Sequence, residues 1–126
     1  MRRFRLSKNE ILRSKTKISQ LYSQGKSLLM HPLKIRYFTT PKEDKAADQE
    51  LLFSAPKKLF PLAVDRNKVK RILKEIYRKN KALLKTKEGS SVYISIIYID
   101  KSIPKYASIT TRLTKALKIL SKKLLE

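Results

Sequence analysis

The sequence predicts an α/β sandwich, a small mixed sheet packed with helices in the order α-β-β-α-β-α. Three observations carry that expectation. Segments around Val69 and Leu113 repeat apolar residues at helical spacing. Leu33–Thr39 alternates as a half-buried strand does, and Val92–Ile99 is an unbroken apolar run suited to a central strand. The helix around Val69 falls between two predicted strands, a crossover that allows a parallel pair. A length of 126 residues suits one compact domain, and 41% hydrophobic residues suffice for a core, which excludes wholesale disorder.

The first helix is expected between Ser7 and Gln24. Ser7 with Glu10 three residues later fits a capping box. Ser14 is a competing start, because Ile18, Leu21 and Tyr22 then form the clearest apolar face. Gly25 is placed as the C′ residue that ends the helix. In the first strand Leu33, Ile35 and Tyr37 point one way and Lys34, Arg36 and Phe38 the other. The segment PKEDKAADQE (41–50) holds four of the ten acids and reads as an exposed hairpin loop, a side that a polyanion should avoid. Leu51–Ala55 is a second short strand. Phe60–Lys85 is helical, with Pro61 at N1 or Asp65 as N-cap, and a core stripe of Val69, Ile72, Leu73 and Ile76. Pro104 precedes a last helix whose stripe is Leu113, Ala116, Leu117, Leu120 and Leu124.

Charge narrows the function. Thirty-one Lys and Arg against ten Asp and Glu give +21, and self-repulsion on that scale opposes folding. A partner of opposite sign relieves it, so nucleic acid or an anionic membrane is implied. No apolar run approaches the roughly 20 residues of a membrane span. The start, MRRFRLSKNE (1–10), is basic without the apolar region of a secretory signal, so the expected location is the cytoplasm. The absence of Cys excludes disulfides and thiolate metal sites, and the only His, His31, stands beside Pro32 in a loop. No P-loop, GxSxG, HExxH or DxDxDG pattern occurs, and the few acids are scattered. The chain alone is therefore expected to hold neither a catalytic centre nor a metal or cofactor.

The central helix is the informative element. Asn67, Lys70, Arg71, Lys74, Arg78 and Lys81 fall in a sector about 100° wide, opposite the core stripe. Asp65 and Glu75 lie off it. Wet helix faces usually mix signs, so a one-sign sector points to phosphates, whose counterions are released on contact. Arg66 adds a rigid fork of donors, and Asn67 can donate and accept together. A second candidate surface combines Tyr22, Arg36 and Phe38 with Lys57 and Lys58, since rings beside cations suit single-stranded RNA. Tyr22 has two readings, because an aromatic on an apolar helix face is more often core. The cationic sector by itself does not separate RNA from DNA or from anionic lipid. With no helix-turn-helix or intercalating arm in the sequence, and with apolar stripes sized for a core, RNA is the expected partner and DNA and membrane are not.

From Phe53 to Lys81 the sequence resembles the bacterial ribonuclease P protein component. Ser54, Lys57 and Lys58, with Pro56 before the lysines, are similar to that family's Ser and Lys-Lys segment after a strand. Ala63-Val64 matches its Ala-Val pair. Arg66-Asn67-Lys68 resembles its Arg-Asn-Arg box, and Lys70-Arg71 follows at the family spacing. Leu21-Tyr22 and Gly25-Lys26-Ser27 resemble its apolar-aromatic pair and Gly-x-Ser turn. The order of elements agrees over nearly the whole chain. Lys68 stands where the box has its second Arg, Ile18 where many members have an aromatic, and Arg36 roughly where an aromatic is common.

The resemblance implies one domain over 1–126, with a basic N-terminal arm at about 1–13. Its fold would be of the ribosomal protein S5 domain 2-like kind, with a left-handed βαβ crossover that departs from the usual hand. It implies an endonuclease built from one catalytic RNA and this protein, which removes the 5′ leader of precursor tRNA. The RNA would carry catalysis and hold most of the Mg2+, and the protein alone would be inactive. Arg66, Asn67, Lys68, Lys70, Arg71, Lys74 and Arg78 would dock on the catalytic RNA. Ile18, Tyr22, Arg36, Phe38, Lys57 and Lys58 would bind the leader. The alternative is a ribosomal or ribosome-assembly RNA-binding protein.

Overall fold

The structure is a computed structural model that describes residues 10–43 and 46–126. Its elements are α1 (Lys15–Gln24), β1 (Lys26–Met30), β2 (Leu33–Pro41), β3 (Gln49–Ser54), α2 (Ala63–Asn80), a 3-10 turn (Lys81–Leu83), β4 (Ser90–Tyr98) and α3 (Tyr106–Leu125). The four strands form one mixed sheet in the order β1-β2-β4-β3. β2 runs antiparallel to both β1 and β4, and β3 lies parallel to β4 with Leu52 opposite Ser95. The expected sandwich and parallel crossover, β3-α2-β4, are both present.

Helices cover the two faces of the sheet unequally. On one face Leu33, Ile35, Val92, Ile94 and Ile96 meet Val69, Leu73 and Ile76 of α2 and Leu113, Leu117 and Leu120 of α3 in the main core. On the other, α1 closes a small core of Leu12, Leu21 and Tyr93, with Ile18, Phe38 and Leu52 packed against it. A strand covered on both faces needs apolar residues at successive positions, which is why β4 shows no alternation. Tyr77 is fully buried in α2, a core position that the predicted stripe omits. Its hydroxyl accepts a hydrogen bond from Gln49 Nε2 at 2.8 Å, and burial pushes its pKa up.

Several local expectations are corrected. Of the two predicted starts of α1, Ser7 lies outside the described residues, and Ser14 is the N-cap, its side chain accepting from the Lys17 amide. Residues 26–30 form β1, which the sequence reading passes over; it joins β2 through the two residues His31 and Pro32. β2 and β3 are not neighbours, so 41–50 is not a hairpin loop: β4 lies between the strands it connects. Two of that segment's acids are paired within the protein. Asp48 accepts from Lys42 at 2.8 Å, and the buried Glu50 of β3 accepts from Lys17 at 2.9 Å. α2 starts one residue after Leu62, which caps it without a side-chain bond, so neither Pro61 at N1 nor Asp65 as N-cap holds.

Gly25 ends α1, but not in the left-handed conformation expected of a C′ glycine. Its backbone is extended, φ −74° and ψ 158°, and its amide donates to the Leu21 carbonyl at 2.9 Å. Glycine is required for space: a Cβ would run into the Leu21 carbonyl oxygen and crowd that of Tyr37. Gly25→Ala should therefore cost about 1–3 kcal/mol, as overpacking does. A thermal melt checks this, and an unshifted midpoint contradicts it.

Candidate nucleic-acid interface

Asn67, Lys70, Arg71 and Lys74 line one groove of about 350 Å³ beside α2. Its other wall is apolar, formed by Ile11 and by Leu51, Leu52 and Phe53 of β3. β3 is an edge strand, and the chain before α1 is fastened along it: Ile11 bridges Leu51, and the Leu12 amide donates to the Leu51 carbonyl at 2.8 Å. The four α2 residues sit at helical spacing, so their side chains emerge on one side while Val69 and Leu73 anchor the opposite stripe. Among the described residues, Lys70, Arg71 and Lys74 have no ion-pair partner. Three like charges around an apolar floor leave a site that an anion would relieve.

The rest of the predicted cationic set divides. Lys68 is exposed next to the groove residues in sequence. Arg66 turns inward, Nη1 donating to the carbonyls of Phe60 at 2.9 Å and Pro61 at 2.8 Å, and so fastens the chain entering α2. Arg78 donates to Glu75 at 2.6 Å, and this bond above all holds the Glu75 carboxyl below the usual carboxylate range. Lys81 pairs with Glu10 at 3.1 Å. The one-sign sector expected from the sequence is thus cationic and open at Lys70, Arg71 and Lys74, and neutralised towards its C-terminal end.

The second predicted surface lies on the sheet face that carries α1. Tyr22 is 42% exposed at the end of α1, so it is not a core residue. Its hydroxyl shares a 2.9 Å hydrogen bond with the Ser95 hydroxyl of β4. The Arg36 guanidinium stands 5.8 Å from the Tyr22 ring centroid. Ile18 and Phe38 are half-buried in the small core, with the Phe38 ring 6.2 Å from that of Tyr93. Lys57 and Lys58 are exposed on a turn closed by bonds from Leu59 and Phe60 to the Pro56 carbonyl. The strand register adds residues that the sequence reading missed. Ser95 lies between Arg36 and Leu52, and the next row holds Leu29, Lys34, Ile97 and Ser54. These were legible only once β1 and the strand order were known. Leu52 belongs to this face and also lines the α2 groove, so the two surfaces meet across β3.

Among the described residues no group of three or more His, Asp or Glu side chains is placed to hold a metal ion. Among those residues no helix is long and apolar enough to cross a membrane. Comparison with known proteins decides between the nucleic-acid readings. The model of a family described as Ribonuclease P matches residues 6–123. The chain belongs to the ribonuclease P protein family. It is 33% identical over 117 residues to the ribonuclease P protein component of Porphyromonas gingivalis, covering 90% of this chain and 85% of that one. The counterpart in Chlorobium phaeobacteroides is 35% identical over 113 residues, with 80% and 77% covered. The fold is that of the Staphylococcus aureus RNase P protein, with a TM-score of 0.68 at 21% identity over 93% of this chain and 98% of that one. The chain is thus a protein subunit of an endoribonuclease, and the ribosomal alternative is not favoured.

Proposed function

We propose that this ribonuclease P protein docks on the catalytic RNA through the α2 groove and receives the single-stranded 5′ leader of precursor tRNA on the α1 side of the sheet. The observation that carries the reading is the alignment of Asn67, Lys70, Arg71 and Lys74 along one groove that shares Leu52 with the outer sheet face. Phosphates entering the groove would neutralise three side chains that otherwise repel one another, and their counterions would be released. Asn67 would add a donor and an acceptor suited to a phosphate or a 2′-hydroxyl. On the outer face Tyr22 offers a ring to a base, and Lys57 and Lys58 offer charge to the backbone. Catalysis belongs to the RNA, which holds most of the Mg2+, and the complex works in the cytoplasm.

Reconstitution with the catalytic RNA tests this. The protein should restore precursor cleavage at low magnesium, where fewer free cations screen the RNA. The purified protein with magnesium and precursor tRNA but no catalytic RNA should give no 5′ cleavage. Specific cleavage under those conditions would show that the catalytic group belongs to the protein.

A further inference from the structure

We infer that Arg36 and Ser95 are positioning residues for precursor recognition, holding the Tyr22 ring as a one-sided stacking platform. The inference rests on the leader-binding reading of the outer sheet face. An exposed tyrosine at the end of a helix is ordinarily free to change rotamer, and a base that stacks on it must first immobilise it. Here the ring is fastened at both ends. Its hydroxyl is bonded at 2.9 Å to Ser95, which is completely buried in the central strand. At its other end, Arg36 Nη2 donates to the Tyr22 carbonyl at 2.8 Å and to the Gly25 carbonyl at 3.2 Å, tying down the backbone that carries the ring. Nη1 donates to the Ser27 hydroxyl at 3.1 Å, which fixes the guanidinium itself.

The same guanidinium lies 5.8 Å from the ring centroid, within cation–π range. With Arg36 over the ring and the side chain still exposed, a base would stack on the side away from the guanidinium. Arg36 is poorly placed to serve as a phosphate contact. Its Nη groups already hold three acceptors of the protein, and its Nε is buried without a partner among the described residues. Its charge acts inward, on the ring and on the carbonyls at the end of α1. A platform ordered before the RNA arrives spares the complex the entropy of ordering it, worth up to about tenfold in affinity.

The test uses the holoenzyme and measures the ratio of affinities for precursor and mature tRNA, since only the precursor has a leader. Tyr22→Phe and Ser95→Ala change no charge, and each removes one end of the hydroxyl bond. Each should lower the ratio by about three- to tenfold, and the double variant no further, because the two changes break the same bond. Arg36→Gln should lower the same ratio while leaving the slope of log affinity against log salt unchanged. A direct phosphate contact would instead reduce that slope by about 0.7. Arg36→Lys should fail to restore the ratio, since it keeps the charge but loses the fork. Thermal melts exclude misfolding, and Ser95→Ala, a small deletion, keeps the question open should an Arg36 variant unfold. Wild-type ratios for Tyr22→Phe and Ser95→Ala, with a reduced slope for Arg36→Gln, would overturn the inference and make Arg36 an RNA contact. If a folded Tyr22→Ala variant keeps the wild-type ratio, the leader reading itself fails, and the positioning roles fail with it.

Discussion

Affinity for the catalytic RNA should fall by about three orders of magnitude or more between 50 and 200 mM salt, on the scale set by neutralising roughly six to ten phosphates. A net charge of +21 on 126 residues makes the long-range part of this unavoidable, but the steep slope has to come from cations free to meet phosphates. Lys57, Lys58, Lys68, Lys70, Arg71 and Lys74 have no ion-pair partner among the described residues. Arg66, Arg78 and Lys81 are engaged within the protein and should add less. The expected slope therefore lies towards the lower end of that range. Equilibrium titrations at a series of salt concentrations give it directly. A nearly flat log–log plot would mean that recognition is led by shape or stacking and not by phosphates.

The helices of the main core were legible in the sequence because their apolar residues recur at one spacing over many turns. The Val69/Leu73/Ile76 and Leu113/Leu117/Leu120 stripes are buried as read, and Ile72, the fourth residue expected in the first stripe, is half-buried against the core. β4 was legible for a different reason: a strand covered on both faces is a continuous apolar run. β1 was not, because it is a short edge strand in which only Leu28 and Met30 turn towards the core while Leu29 is exposed. With β1 missing, the turn after Gly25 read as an ordinary helix end, when its glycine is demanded by the close approach of two carbonyls. The candidate groove was half legible. Helical spacing places Asn67, Lys70, Arg71 and Lys74 together, but only the strand order shows that β3 forms the opposite wall. Spacing also could not tell open cations from paired ones. Arg66 and Arg78 read like Arg71, yet one holds backbone carbonyls and the other a neighbouring acid.

That division sets the sharpest expectation for the α2 surface. Asn67→Ala and Arg71→Ala should each impair the holoenzyme while leaving the fold intact. Both side chains are exposed and line the groove, so truncation leaves no cavity, and surface changes of this kind shift stability by about 0.5 kcal/mol or less. Each charge-assisted hydrogen bond lost to RNA would cost about 1.5–3 kcal/mol, or roughly ten- to a hundredfold in affinity; this applies to Arg71, and the neutral Asn67 should fall at the lower end. The defect should be largest at low magnesium. Arg66→Ala belongs to a different class. It strips two backbone carbonyls of their donor at the entry to α2, so it should lower the melting temperature and lose function partly through the fold. Lys79 is a poor charge control, because its Nζ sits 3.5 Å from Glu75 and 5.7 Å from the Tyr106 ring. Lys118 on α3 is exposed and has no ion-pair partner among the described residues, so Lys118→Ala removes one charge and little else. Melts and low-magnesium cleavage on the four variants separate the cases. If Lys118→Ala is as damaging as Arg71→Ala, the protein acts through bulk charge and the groove has no special part in docking.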